Sequence, residues 1–159
     1  MIGDEVLTIP VTLHHFTAAG WKNDTQYTKI GENGGNYSID FKKDNMQITV
    51  NATNNTPELI DRLVEGADAG LDVMSLTCSA RWNETEIKLP NGIILGKSTY
   101  DDLIAAYGKP SDADSYLYVY YEGDPVEKYF EKDAYITFTL GENDDGATVV
   151  QTVTMHHAK

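Results

Sequence analysis

Apolar and polar residues alternate along Tyr37 to Phe41 and again along Met46 to Val50, with the polar run Lys42-Lys43-Asp44-Asn45 between them. Period-two patterning puts every second side chain on one face, so the pair predicts a β-hairpin. The same reading predicts strands over Leu71 to Ala80, Tyr116 to Tyr121, Tyr135 to Leu140 and Thr148 to Met155, the last two joined through a turn at Asp144-Asp145-Gly146. Two segments follow the helical period instead. Thr12 to Ala19 sets Leu13, Phe16 and Ala19 on one side and stops at Gly20, with Trp21 placed to pack over the helix end. The second opens with Ser98-Thr99-Tyr100-Asp101, a capping pattern with acids at the positive end of the helix dipole. It presents Tyr100, Leu103, Ile104 and Tyr107 as its apolar face and ends at Gly108 and Pro110. Elsewhere a short strand is predicted over Glu5 to Ile9 and a turn over Gly31-Glu32-Asn33-Gly34-Gly35. Thr56-Pro57-Glu58 predicts a helix start, with a strand over Leu63 to Ala67 as the alternative.

The two helical segments resemble one another. Thr12 to Gly20 aligns with Thr99 to Gly108 around an Ala-Ala pair and a terminating glycine, and Ile9-Pro10 stands before the first as Leu89-Pro90 stands before the second. Repetition at this scale predicts an α+β protein of two tandem units, residues 1–80 and 81–159, each a short helix packed on its own antiparallel sheet.

Gly92, Leu95, Gly96, Ser98, Tyr107, Gly108, Pro110, Tyr118 and Phe138 carry a resemblance. Together they are similar to the repeat unit of uncharacterised cell-envelope lipoproteins of Gram-positive bacteria. More distantly they resemble the β-lactamase-inhibitor-protein fold shared with small outer-membrane assembly lipoproteins of the SmpA/OmlA type. The likeness covers residues 86–155, and residues 5–80 only through the internal repeat. It implies helix-on-sheet units displayed outside the cytoplasm that bind proteins rather than turn over substrates. The chain departs from those families in having no lipid-attachment cysteine near Met1.

Charge narrows the partners. Residues 1–80 carry 5 basic and 11 acidic groups and residues 81–159 carry 7 and 14, so the net charge of -13 is spread over both halves. Such a surface repels phosphate backbones and anionic headgroups, which excludes nucleic acid and bare membrane as partners. No apolar run is long enough to insert into a bilayer. The abundance of Asn, Thr, Tyr and Gly over Lys and Arg fits an extracytoplasmic protein of the cell envelope or a secreted one.

Candidate chemistry is sparse. Tyr116, Tyr118 and Tyr120 fall on one face of their predicted strand, and with Trp82 they are the candidate binding residues, because tyrosine and tryptophan give large contact area at low entropic cost. Adjacent histidines diverge, so neither His14-His15 nor His156-His157 closes on one metal by itself, and no metal or cofactor site is expected. The single cysteine, Cys78, lies on the apolar face of its strand and is expected in the core. Asp101-Asp102, Asp112 with Asp114, and Asp144-Asp145 are explained by capping and turns. The reading is a non-catalytic binding module for a protein or glycan; the alternative is a small hydrolase working through a carboxylate pair. Because bound metal stabilises a fold by mass action, stripping divalent ions with a chelator is expected to leave the melting temperature unchanged. A large drop would promote the four histidines or the Asp144 turn to ligands.

Overall fold

Alternation alone pairs Asn36–Lys43 (β2) with Met46–Asn54 (β3), in register from Lys43↔Met46 to Asn36↔Thr53. The connection is a two-residue turn in which Asp44 takes φ 53, the sign a twist-matched hairpin turn demands and one that aspartate tolerates. The computed structural model describes residues 12–24, 36–54, 71–120 and 134–157. The predicted strand over Glu5 to Ile9, the Gly31–Gly35 turn and the segment Thr56 to Ala67 lie outside the described residues.

Both predicted helices are present: Leu13–Ala18 (α1) and Tyr100–Tyr107 (α2). In α2 the Thr99 hydroxyl accepts from the Asp102 backbone N–H while the Asp102 carboxylate accepts from the Thr99 N–H, a complete capping box. The Thr99 N–H and the Thr99 hydroxyl, both within hydrogen-bond distance of Asp102 Oδ2, hold the Asp102 carboxyl below its usual pKa. The helix ends where Gly108 takes φ 80. Around them run Lys22–Asn23 (β1), Leu71–Ser79 (β4), Asp112–Asp114 (β5), Leu117–Tyr120 (β6), Ala134–Glu142 (β7) and Thr148–His157 (β8). The alternation rule did not detect β5, whose three residues are all exposed.

The strand order β1-β2-β3-β4-β8-β7-β6-β5 makes a single antiparallel sheet of eight strands. This corrects the expectation of two tandem α+β units with a sheet each: among the described residues there is one sheet, and only two short α-helices accompany it. The physical reason lies at β4. Its second edge would expose a row of unpaired backbone groups, and β8 takes up that edge with five register pairs, from Ser75↔His156 to Ser79↔Thr152. The result is one core cluster, running from Leu13 and Phe16 of α1 through Phe41, Ile48 and Leu76 to Leu103 of α2, Phe138 and Val153.

The two faces of the sheet differ in chemistry. The helix-covered face is apolar, with Phe16 stacked on Phe41 at 5.7 Å and Phe138 against Tyr107 at 5.0 Å. On the other face Asp40, Thr49, Thr77, Thr154 and Thr137 form one row across five strands. The Thr49 hydroxyl donates to Asp40 Oδ1 at 2.7 Å, and the Thr77 and Thr154 hydroxyls bond one another at 3.0 Å. Two bulges set which residues reach which face. One lies in β4 at Met74, so that Val73 joins Leu76 and Cys78 in the core; the other lies in β8 at Gln151, so that Val150 and Val153 both do. Strict alternation would have turned Val73 and Val150 outward.

Gly96 adopts φ +82, and a Cβ there would come within 3.1 Å of the Ala80 Cβ. Its N–H donates to the Val150 carbonyl at 2.8 Å, so the backbone cannot simply move away. Gly96→Ala is expected to destabilise by about 1–3 kcal/mol, and Phe138→Ala by about 3–5 kcal/mol, both read from urea midpoints. A neutral Gly96→Ala would remove the close approach from the account of the fold.

Candidate functional site

The four aromatic candidates separate into two pairs. Tyr118 and Tyr120 lie in β6 on the helix-covered face and are half-buried. The Tyr118 ring packs against Tyr100 at 4.8 Å, and Tyr120 against Tyr107 and Phe138, each at 5.7 Å. The Tyr120 hydroxyl donates to the Gly108 carbonyl at 3.2 Å, tying the strand to the end of α2. Burial, aided by the surrounding tyrosines, pushes its pKa up to about 12. Tyr116 sits in the turn before β6 and is 64% exposed, and Trp82, in the 3-10 turn Ala80–Trp82, is 46% exposed. These two share an end of the sheet. Ser79, Thr152, Thr139 and Leu117 form one register row, with Trp82 three residues beyond its first member and Tyr116 one residue before its last. The row spans three strand spacings, about 14 Å.

What positions Trp82 is the way β4 leaves the sheet. Past Ser79 the chain turns away, and the Asn83 side chain takes over the vacated place beside β3. Its Oδ1 accepts from the Gln47 N–H at 2.6 Å, and its Nδ2 donates to the carbonyls of Gln47 at 3.0 Å and Ser79 at 2.7 Å. An amide side chain thus substitutes for a peptide unit of the missing strand. Beside β8 the vacated place is filled from elsewhere: Gly96 donates to the Val150 carbonyl, and Val150 donates to the Ser98 carbonyl at 2.7 Å.

Between these two replacements lies a cavity of about 550 Å³, lined by residues 80–81, 83–87 and 95–97, by residues 142–144 where β7 enters the hairpin turn, and by Gln151, but not by Trp82. Its rim is charged. The Glu86 carboxylate is bonded by the Lys97 ammonium and by Lys88 at 3.2 Å, and these two cations lower its pKa. Arg81 is exposed and its guanidinium has no ion pair among the described residues. Gln151 is the bulge residue of β8. It is 6% exposed; its Nε2 donates to the Glu142 carbonyl at 3.1 Å, and its Oε1 has no hydrogen-bond partner among the described residues.

The other candidates do not assemble. Cys78 is buried, and burial pushes its thiol up to about 12, so it is not a thiolate nucleophile at neutral pH. Among the described residues no three His, Cys, Asp or Glu side chains converge. Asn143 Oδ1 is engaged by the N–H groups of Asp145 at 3.1 Å and Ala147 at 2.9 Å, which is local turn chemistry. His156 lies on the polar face of the sheet, stacked on Tyr135 at 4.1 Å, and burial lowers its pKa.

Arg81 and Gln151 were not among the residues singled out from the sequence. A signal was present: in Val149-Val150-Gln151-Thr152-Val153, regular alternation puts a glutamine in phase with two valines, and a bulge or a buried amide resolves that conflict. No family model, no curated protein and no solved structure matches the chain.

Since His156 is held neutral by burial, its folded pKa lies below its unfolded one. The unfolded chain then binds more protons between the two values, and stability falls as pH drops below about 6.5 toward the folded pKa. The melting temperature is expected to decline from pH 7 to pH 5, and His156→Gln is expected to flatten part of that decline. An identical slope in the variant would remove His156 as its cause.

Proposed function

We propose that the chain is a non-catalytic, extracytoplasmic binding module that takes a protein or glycan partner at the end of the sheet bearing Trp82 and Tyr116. One observation carries the reading: Trp82 and Tyr116, the two most exposed large apolar side chains among the described residues, stand at the same end of one sheet. Exposed rings cost solubility when nothing covers them, and tryptophan and tyrosine are the residue types that most often dominate contact surfaces. The acidic charge favours a neutral or basic partner. An extracytoplasmic setting is supported by the composition and by the resemblance to envelope lipoproteins.

The small-hydrolase alternative is less well supported. A general acid needs a carboxyl held protonated near neutral pH. Among the described residues the carboxyls with shifted pKa values, Glu86 and Asp102, are both shifted downward by hydrogen bonds to their charged forms.

The test is a solid-phase screen of the intact chain against immobilised glycans and envelope proteins, repeated with a Trp82→Ala/Tyr116→Ala double variant. The double variant should keep the wild-type melting temperature and lose roughly 30-fold or more in affinity for the retained partner, as removal of a hot spot of about 2 kcal/mol requires. The partner should be recovered uncleaved. Undiminished binding by the double variant, or turnover of the partner, would overturn the proposal.

A further inference from the structure

We propose that the tyrosine strip between α2 and β6 docks a proline-rich segment in the polyproline II conformation that carries basic residues. This rests on the binding-module reading and names the partner. Tyr100 and Tyr107 stand seven residues apart on one side of α2, and Tyr118 and Tyr120 stand two apart on the helix-covered face of β6. Helix and strand pair them off: Tyr100 meets Tyr118 at 4.8 Å and Tyr107 meets Tyr120 at 5.7 Å. Successive pairs are therefore about 7 Å apart on the strand side and about 10 Å apart on the helix side. One turn of a polyproline II helix advances about 9 Å, so consecutive turns meet consecutive pairs. Tyr116, exposed and two residues before Tyr118, stands at one end of the strip.

The strip is open, and its hydroxyls can donate. Tyr100 is 38% exposed and the other three are half-buried. Beyond β6, strand β5 brings to this face Ala113, which lies opposite Tyr118, is exposed and is too small to cover a ring. Among the described residues the hydroxyls of Tyr100, Tyr107 and Tyr118 have no hydrogen-bond partner, whereas that of Tyr120 is fixed on the Gly108 carbonyl. Besides burial, those three phenols raise the Tyr120 pKa, which puts the four hydroxyls in one patch. A polyproline II backbone makes no internal hydrogen bonds, and its prolines have carbonyls but no N–H, so it needs donors and returns none. From residue 100 to residue 120 four acids, Asp101, Asp102, Asp112 and Asp114, stand against one cation, Lys109, which favours basic residues beside the prolines. Rings inclined at 39° and 52° make a ridged surface, where a sugar ring stacks on a flat one. Pairs already in contact leave no room for an organic cation between their rings. Strand addition at β5 is opposed by Asp112 and Asp114, whose Oδ1 atoms already accept from the N–H groups of Ala113 at 2.9 Å and Ser115 at 2.7 Å.

The experiment is a titration of the ¹⁵N-labelled intact chain with an arginine-flanked oligoproline peptide, following the N–H signals of Ala113, Tyr118 and Tyr120. The same peptide with glycine in place of proline, cellotriose and tetramethylammonium serve as the rival probes. The oligoproline should shift all three signals saturably, more weakly as salt is added, while the rivals leave them in place. Tyr100→Ala, at an exposed position, should weaken binding by roughly tenfold or more. Tyr118→Phe, which keeps the ring and removes one donor, should weaken it by roughly threefold to tenfold. The melting temperature of each variant shows whether it has folded, and Tyr118→Phe carries the test if Tyr100→Ala does not fold. Equal binding of the glycine peptide, binding of cellotriose or tetramethylammonium in place of the oligoproline, or oligoproline binding unaffected in either folded variant would each overturn the proposal. If the Trp82→Ala/Tyr116→Ala variant loses the partner found in the screen while Tyr100→Ala keeps it, the module reading stands and the strip assignment falls. Oligoproline binding that is lost in Tyr100→Ala and survives loss of Trp82 and Tyr116 would sustain the strip and refute the role of those two side chains.

Discussion

The pairing of β4 with β8 is the contact on which the rest of the molecule depends. Strands β1 to β4 form one antiparallel ladder and β5 to β8 another, and among the described residues the register from Ser75↔His156 to Ser79↔Thr152 is the strand pairing that joins them. Each side of that seam does different work. Toward the helices Leu76 meets Met155 and Cys78 meets Val153, which makes the core continuous. On the other face Thr77 and Thr154 share a hydrogen bond and the Thr152 hydroxyl donates to Ser79 Oγ at 3.1 Å. Polar groups in a half-covered face are thereby satisfied laterally, leaving no need for a second layer to bury them.

The candidate site is a consequence of where that seam ends. Strand β8 runs on to Thr148, past the point at which β4 turns away, so Val150 finds its hydrogen bonds in Gly96 and Ser98 instead of in a strand. The close contact of Gly96 with Ala80 brings that substitute segment against the 3-10 turn, and Asn83 anchors the turn on Gln47. A cavity remains between the two patches, and the β8 bulge aims Gln151 into it. Arg81 and Trp82 occupy their positions because the Asn83 side chain that follows them holds the turn on β3 in place of the strand that has stopped.

Much of this was legible residue by residue. Period two located β2, β3, β4, β7 and β8, the Thr99 box and Gly108 bounded α2, and Leu13 with Phe16 marked the buried side of α1, because these are local rules of side-chain direction and capping. Cys78 was placed in the core on the same grounds. The pattern could not say that the two helix-plus-strand stretches share one sheet, since strand order is a choice among edges far apart in the chain. Nor could it see the bulges, each an extra residue that inverts the facing of the rest of its strand, which is why Val73 and Val150 lie inward and Gln151 lines a cavity. The tyrosine stripe shows the same division. Alternation correctly put Tyr118 and Tyr120 on one face, but α2 decided that this face is half-covered, and a turn rather than a strand left Tyr116 in solvent. Local periodicity determines which side a residue is on; only the packing of distant segments decides what lies on that side.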